Sequence, residues 1–500
     1  METATSTIKI ATVDRSADVL ADFTLKTGII GTNPSDLVAS TGTLEFYLNN
    51  SASNAAAQAG FYSPGHANAW GVFELGATVQ WITNYSATDR YQFFGRIVSI
   101  EPMADAKGER RTKVIAADYM DEMASRYIDP MALQTNKRSD ELFTTLIATM
   151  ENAPSSTSYD TGPDVATTAF YDLQGEKQTV YNIAQRIAQM SFCRIYVKGN
   201  ATNGETLVLE NRSATALKSS SLTLNNTMTG LEVIRERQGI INKAVVKVTN
   251  PNEATSEEVI YSIPRYREIA PGATKTFTAL FRDPDGGNRL CANSVNTSPV
   301  SGTDYSASIV KNSETNDLNA SLGIVINNVA ADRATVALTN NSGLLMYVNR
   351  FQIKGLPLRL RDAAETTAED ASSITAYGER KYNYNAPYQD NPNTTQTIAD
   401  YIVANFKDPR NVAKTVTFTG NVNSTLMTAA VNRDIGDRIT LTETQTGINE
   451  DRVIFARTVH VRGNGIWNVE YKTSFVQTGP FWLLGETGKS ELGTTTYLGF

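Results

Sequence analysis

Short runs of alternating apolar and polar residues dominate residues 1–128. Ile8 to Val13, Phe23 to Ile29, Thr43 to Leu48, Thr78 to Ile82, Tyr91 to Ile100 and Arg111 to Ala117 are rich in β-branched and aromatic residues, and Gly, Pro, Asn, Asp or Ser separates them. Strand side chains alternate between the two faces of a sheet, so Leu44, Phe46 and Leu48 fall on one face. Spacing of this kind predicts a barrel or a sandwich. Gly95, inside Phe93-Phe94-Gly95-Arg96-Ile97, marks a bulge or a close backbone approach. Phe94 and Ile97 are expected in the core, each contributing roughly 1.5–3 kcal/mol.

The period changes near residue 129. Ser139 can cap a helix whose first turn holds Asp140 and Glu141. Leu142, Phe143, Leu146, Ile147 and Met150 then recur at helical spacing. A second helix is predicted from Gln178 to Met190, with Val180, Ile183, Ala184, Ile187 and Met190 on one side. Strands Cys193 to Val197 and Thr206 to Glu210 follow. Helices this short are marginal alone in water and need a partner surface. Strands resume at Gly230 to Arg235 and Ala244 to Val248. Between Pro271-Gly272 and Gly355-Leu356-Pro357, turn signals bracket five further strands, which reads as an inserted β-sandwich. Residues 363–373 are small and acidic and read as a linker or exposed turn. Ile398, Tyr401, Ile402 and Phe406 give a helix from about Thr394 to Phe406, stopped by Pro409. The chain returns to strands at Thr415 to Thr419, Arg438 to Thr442, Arg452 to Arg462 and Trp467 to Phe475.

The expected division is therefore 1–128, a β-barrel-like domain; 129–228, an α+β domain; 229–266 with 358–500, a second barrel-like region; and 267–357, the inserted sandwich. The fold class is mainly β with α+β segments. With 500 residues the chain has room for about three to five domains. At 41% hydrophobic and 19% charged it is built to fold rather than to stay disordered. Its longest apolar stretches, such as Ile324-Val325-Ile326, fall far short of the ~20 residues of a spanning helix. Met1-Glu2-Thr3-Ala4-Thr5-Ser6-Thr7 lacks the basic start and apolar middle of a secretory signal.

Net charge is −7, from 45 basic and 52 acidic residues. The densest basic stretch, Lys107, Arg110, Arg111 and Lys113, includes Glu109. No patch suited to displacing phosphate counterions is evident. Two cysteines, Cys193 and Cys291, form no CxxC pair, so neither a structural zinc nor a disulfide framework is expected. Cys193 lies in an apolar run and reads as core.

Candidate chemistry is sparse. His66 and His460 are the two histidines, and any Ser-His-Asp or Cys-His arrangement has to use one of them. Both read as structural or surface residues. Gly485-Glu486-Thr487-Gly488-Lys489-Ser490 resembles part of a P-loop, but the first glycine of that motif is Leu483 here. Asp283-Pro284-Asp285-Gly286-Gly287 resembles the start of a calcium loop, yet Ser294 stands where the bidentate glutamate belongs. Asp434-Ile435-Gly436-Asp437 pairs two acids around a glycine and reads as a turn leading into a strand. Tyr377, Tyr382, Tyr384 and Tyr388 cluster beside asparagines, as a sugar-binding loop, an interface patch, or a loop packed on a neighbouring domain. No catalytic, cofactor-binding or metal site is assigned, and no cofactor is expected.

Several segments resemble phage tail proteins in order along the chain. Tyr91-Gln92-Phe93-Phe94-Gly95-Arg96-Ile97-Val98-Ser99-Ile100, followed by Thr112-Lys113-Val114-Ile115-Ala116-Ala117-Asp118-Tyr119-Met120, resembles the N-terminal barrel of tail hub and minor tail proteins. There an aromatic-Gly strand pairs with one ending in Ala-Asp-aromatic. Ile240 to Val248 is similar to the strand after their middle domain. Asp434 to Ile439, Val459-His460-Val461 and Trp467 to Tyr471 are similar to their C-terminal hairpins. Phe481-Trp482-Leu483-Leu484-Gly485 to Leu498-Gly499-Phe500 resembles many tail-tip endings of long-tailed phages. The resemblance implies a baseplate-hub architecture and a homotrimer, with two barrel-like domains per subunit facing the sixfold tail tube. It also implies distal tail and tape-measure proteins as partners, a place in the virion after synthesis in the host cytoplasm, and phage DNA passing through without specific binding. Residues 267–357 depart from a minimal hub and read as a peripheral decoration for another tail protein or a host-surface glycan. Two other readings stay open: a distal tail or receptor-binding protein recognising glycan, and a glycan or peptidoglycan hydrolase.

Overall fold

The computed structural model describes residues 1–476 apart from 32, 105–109, 163, 172–176, 213, 215–217, 238, 249–250, 284–286, 314, 316, 361–363, 390 and 410–411. The protein is mainly β, with several sheets. The largest has 13 strands and runs through both ends of the chain. Its N-terminal half comprises Thr5–Ile10, Val13–Asp14, Val19–Gly28, Ser40–Asn49, Thr78–Tyr85, Thr88–Ala104 and Arg110–Ala117. Its C-terminal half comprises Thr223–Leu224, Gly230–Ile234, Val412–Thr419, Arg438–Glu443, Ile448–Val461 and Trp467–Phe475. No strand pairing closes either half into a barrel among the described residues.

The seam between the halves is a strand pair. Val19–Gly28 pairs antiparallel with Ser40–Asn49 on one side and with Ile448–Val461 on the other, in register from Phe23 opposite Val461 to Gly28 opposite Ala456. Gly28 is required there. Its φ is +118°, and a Cβ would lie 2.3 Å from the Phe455 carbonyl oxygen. Both halves feed one core: Leu44, Phe46, Leu48 and Ile97 meet Val416, Phe418, Val459 and Tyr471. Trp81 and Trp467 stack across it with ring centres 5.6 Å apart.

The alternation at Leu44, Phe46 and Leu48 holds, all three being buried. The strand carrying Gly95 pairs with the one ending Ala116-Ala117, Ile97 opposite Ala116. Gly95 is a close approach, since a Cβ would sit 2.1 Å from the Ala117 carbonyl oxygen. Ile97 is in the core, but Phe94 is only half-buried and Phe93 takes the buried position. From Phe93 to Ile97 the side chains alternate strictly, so Phe93, Gly95 and Ile97 share the inner face and Phe94 falls on the other, while the bulge at Gln92 lies before this stretch.

The α+β part packs helices Tyr119–Ser125, Ser139–Ile147 and Val180–Ser191 against strands Arg194–Lys198 and Thr206–Glu210. Ser139 is the first helical residue rather than the cap; Arg138 holds that position, its N–H donating to Glu141 at 2.9 Å. Thr179 caps the next helix by accepting from the Asn182 N–H. The same core takes in strand Lys243–Val248 and helix Pro392–Phe406, with Ile398 and Ile402 fully buried. Residues 364–369 are a strand rather than a linker. Ala364–Glu369 pairs along the whole of Lys243–Val248, and Glu365 and Glu369 meet Lys247 and Lys243 across the pair at 2.8 and 3.3 Å.

The inserted region, expected at 267–357, forms a separate core that includes Phe281, Val336, Leu338, Val348, Phe351 and Ile353 and also takes in Ile260 and Ile263 from before residue 267. One long strand, Met346–Leu360, pairs in turn with five others. It runs through Gly355 and Pro357, which the sequence suggests as an end, by changing partners along its length. A separate three-stranded sheet, Thr274–Leu280, Leu322–Asn327 and Arg333–Asn340, forms the other layer. The insert touches the α+β part where the Ala331 N–H donates to the Met131 carbonyl at 3.0 Å.

Candidate functional site

The residues that invite a catalytic reading do not converge. His66 sits in an exposed loop and accepts from the Asn68 N–H at 3.1 Å through Nδ1. His460 lies on Ile448–Val461, its Nδ1 2.8 Å from the Thr24 hydroxyl, as one cross-strand pair in the seam. Asp283 and Gly287 bracket a turn in which the Gly287 N–H donates to the Asp283 carbonyl at 2.8 Å, and the Asp283 carboxylate lies 3.6 Å from Arg359. Positions 284–286, the Gly485–Ser490 segment and the Phe481–Phe500 tail lie outside the described residues. Both cysteines are buried, and burial pushes the Cys193 thiol up to about 12.

The tyrosine cluster divides. Tyr384 and Tyr388 are core residues. Tyr384 packs on Phe192 with ring centres 5.4 Å apart, and its hydroxyl donates to the Gln189 carbonyl at 2.8 Å. Tyr384 thus joins the Lys381–Ala386 strand to the Val180–Ser191 helix, and Tyr388 packs its ring on Phe170 and Tyr171, which removes both from any sugar-facing loop.

Asp434 is the centre of the densest buried polar network. Its Oδ2 lies 3.5 Å from Arg90 and 3.4 Å from Arg457 and accepts from the Gly199 N–H at 3.0 Å. Arg457, fully buried, also donates to the Gln92 side chain at 2.7 Å and to the Ala430 carbonyl at 2.8 Å. Gln92 in turn donates to Thr83 and to the Val431 carbonyl. Asp437 is held apart from this cluster, caps the Asp434 N–H at 3.2 Å and pairs with Arg433 at 3.5 Å. Burial raises the Asp437 carboxyl, with Asp434 adding to it. The two acids therefore lock a turn. One neutralises two arginines where the N-terminal half, the α+β part and the C-terminal half meet, and such a charge is stable in the interior only because it is paired.

Val72, Leu75 and Val98 are exposed apolar residues in the N-terminal half. The Gly76 N–H donates to the Ile97 carbonyl at 2.8 Å, which brings the Leu75 loop alongside Val98. The loop is anchored by Tyr62, Trp70 and Phe73, and Arg15 lies 4.0 Å over the Trp70 ring.

No protein-family model and no curated protein matches the chain. The 43 kDa tail protein of prophage MuSo2 from Shewanella oneidensis superposes with a TM-score of 0.50 at 10% identity, over 95% of this chain and 99% of that one. Its fold is similar to that of a prophage tail protein. The tail protein from Neisseria meningitidis MC58 gives 0.49 at 8% identity, over 95% and 96% of the two chains.

In a tail-protein fold of this kind the Asp434 network is internal framework, and sequence reading passed over most of it. Gln92 is a polar residue inside the aromatic run Tyr91 to Phe94, and Arg457 interrupts an apolar strand. Each is a visible irregularity, but nothing in the local pattern says that residues 92, 434 and 457 meet.

Proposed function

We propose that this chain is a structural component of a phage tail tip, with three copies forming a hub that closes or initiates the tail tube. It binds the distal tail and tape-measure proteins, opens for DNA ejection, and carries out no catalysis. The observation that carries this reading is the fold likeness to a prophage tail protein over 95% of the chain. The ordered resemblance of residues 91–120, 240–248 and 434–471 to hub proteins supports it independently.

In this reading the exposed Val72, Leu75 and Val98 patch is covered by a neighbouring subunit, within an interface burying upward of about 2,000 Å². The net charge of −7 suits a passage that DNA crosses without adhering. The insert, with its separate core, stands at the periphery and meets another tail protein or a host-surface glycan. Light scattering on the purified chain tests the trimer: three chain masses at micromolar concentration, with a ring visible by negative-stain microscopy, are expected. A monomer at tens of micromolar, with no ring, would remove the hub reading.

A further inference from the structure

Asp118 stands where two parts of the chain meet. It follows the Arg110–Ala117 strand of the large sheet and caps the Tyr119–Ser125 helix of the α+β part, its Oδ1 accepting from the Met120 N–H at 3.1 Å. It is 4% exposed. Gly42 on the neighbouring strand makes room for it: a Cβ there would lie 2.2 Å from Asp118 Oδ2 and 2.8 Å from the Thr27 methyl. A carboxylate has therefore been packed into the joint at the expense of a side chain.

The surroundings are acidic. Glu205, buried, enters from the α+β part, where the Ser155 N–H and hydroxyl hold its Oε2 at 2.9 and 2.7 Å. Asp121 and Glu122 stand on the helix itself. The Thr88–Ala104 strand brings Arg96, but its Nε donates to Glu122 at 2.6 Å. The Arg194–Lys198 strand brings Arg194, which pairs with Glu210 at 3.1 Å. The Val19–Gly28 and Ser40–Asn49 strands meet Asp118 through Thr27 and Gly42, neither of which titrates. No ion pair among the described residues reaches Asp118. A buried carboxylate that faces other acids without a cation is disfavoured, whereas the neutral acid is tolerated.

We propose that this joint is proton-linked: the sheet and the Tyr119–Ser125 helix close on the neutral acid form of Asp118, and ionisation of that carboxyl loosens the helix from the sheet. Burial above all, with Glu205 and Asp121 adding to it, raises the carboxyl from 3.8 to about 8, against backbone hydrogen bonds at Gly42 and Met120 that lower it. Because the folded value lies above the unfolded one, the contribution is complete below about pH 4 and is lost as pH rises through about 8.

Amide exchange on the full chain between pH 5 and pH 9, corrected for intrinsic chemistry, tests this, with the Trp467–Phe475 strand as internal reference. In the wild type the opening constant of the Tyr119–Ser125 helix is expected to rise about tenfold per pH unit and to level off near pH 8, relative to the reference strand. Asp118→Asn keeps a capping oxygen but cannot ionise, so its profile is expected to be flat. Parallel profiles for the two proteins would overturn the proposal. Should Asp118→Asn fail to fold, Glu205→Gln decides: loss of the facing charge is expected to move the levelling-off to lower pH, and an unmoved profile would overturn the proposal equally.

Discussion

The large sheet and the insert are built on opposite plans. The large sheet is held by contacts between the two ends of the chain: Val19–Gly28 pairs with Ile448–Val461, Gln92 reaches Arg457 and Arg90 reaches Asp434 in the C-terminal half. The insert instead closes on itself, with strands from Pro251–Glu253 to Tyr305–Ser308 gathered on the single strand Met346–Leu360 around a core drawn from residues 260–353. Closing distant segments costs chain entropy before any contact rewards it. The large sheet should therefore fold and fail as one unit, while the insert can vary without disturbing it. The proposed tail-tip role calls for the first property in the large sheet and leaves the insert free to have the second.

Arg457→Met gives the largest expected effect. It leaves Gln92 and part of the charge on Asp434 unmatched in the interior, and should cost about 3–5 kcal/mol. In urea unfolding followed by exchange, strands from both ends of the chain should lose protection together while Arg333–Asn340 in the insert keeps its own; loss confined to the C-terminal half would break the comparison. Phe351→Ala empties part of the insert core and should cost about 3 kcal/mol, read as faster exchange across Arg333–Asn340 with Trp467–Phe475 unchanged. Unfolding of both regions at one lowered midpoint would show that the insert is not independent. Asn423→Ala removes the oxygen that caps Ser424–Asn432, where the Leu426 N–H donates to it at 2.9 Å, and should cost about 1 kcal/mol in the large-sheet transition alone. Leu75→Asp should change the stability of the isolated chain by no more than about 0.5 kcal/mol, since the residue is exposed. It should nevertheless reduce the mass seen by light scattering, and an unchanged mass would exclude that patch from the subunit contact.

The ease of reading the two regions from sequence differs in the same sense. Alternation at Leu44, Phe46 and Leu48, the helical face of Val180 to Met190 and the stretch ending at Phe406 all reappear in the structure, because each depends on backbone geometry within a few residues. The acidic stretch at 363–373 reads differently in the structure for the complementary reason: Ala364–Glu369 is a strand because its backbone pairs along the whole of Lys243–Val248, more than a hundred residues earlier, and the exposed ion pairs with Lys243 and Lys247 add little. The exchange of Phe94 for Phe93 at a buried position has a local origin instead, since alternation puts Phe93 and Ile97 on one side of the strand and Phe94 on the other. Two helices, Tyr119–Ser125 and Ala371–Tyr377, are too short for their periodicity to stand out and owe their existence to caps and packing.

By itself, then, the sequence determined where the chain is extended, where it is helical and which side chains are apolar enough to be covered, since those follow from a repeat of two or of 3.6 residues. Tertiary structure alone decided that the two ends share a sheet, that Asp434 neutralises two arginines instead of joining Asp437 in chemistry, and that Asp118 is sealed in an acidic joint. Partner and register depend on which distant surfaces fit once water is excluded, and no local pattern carries that information.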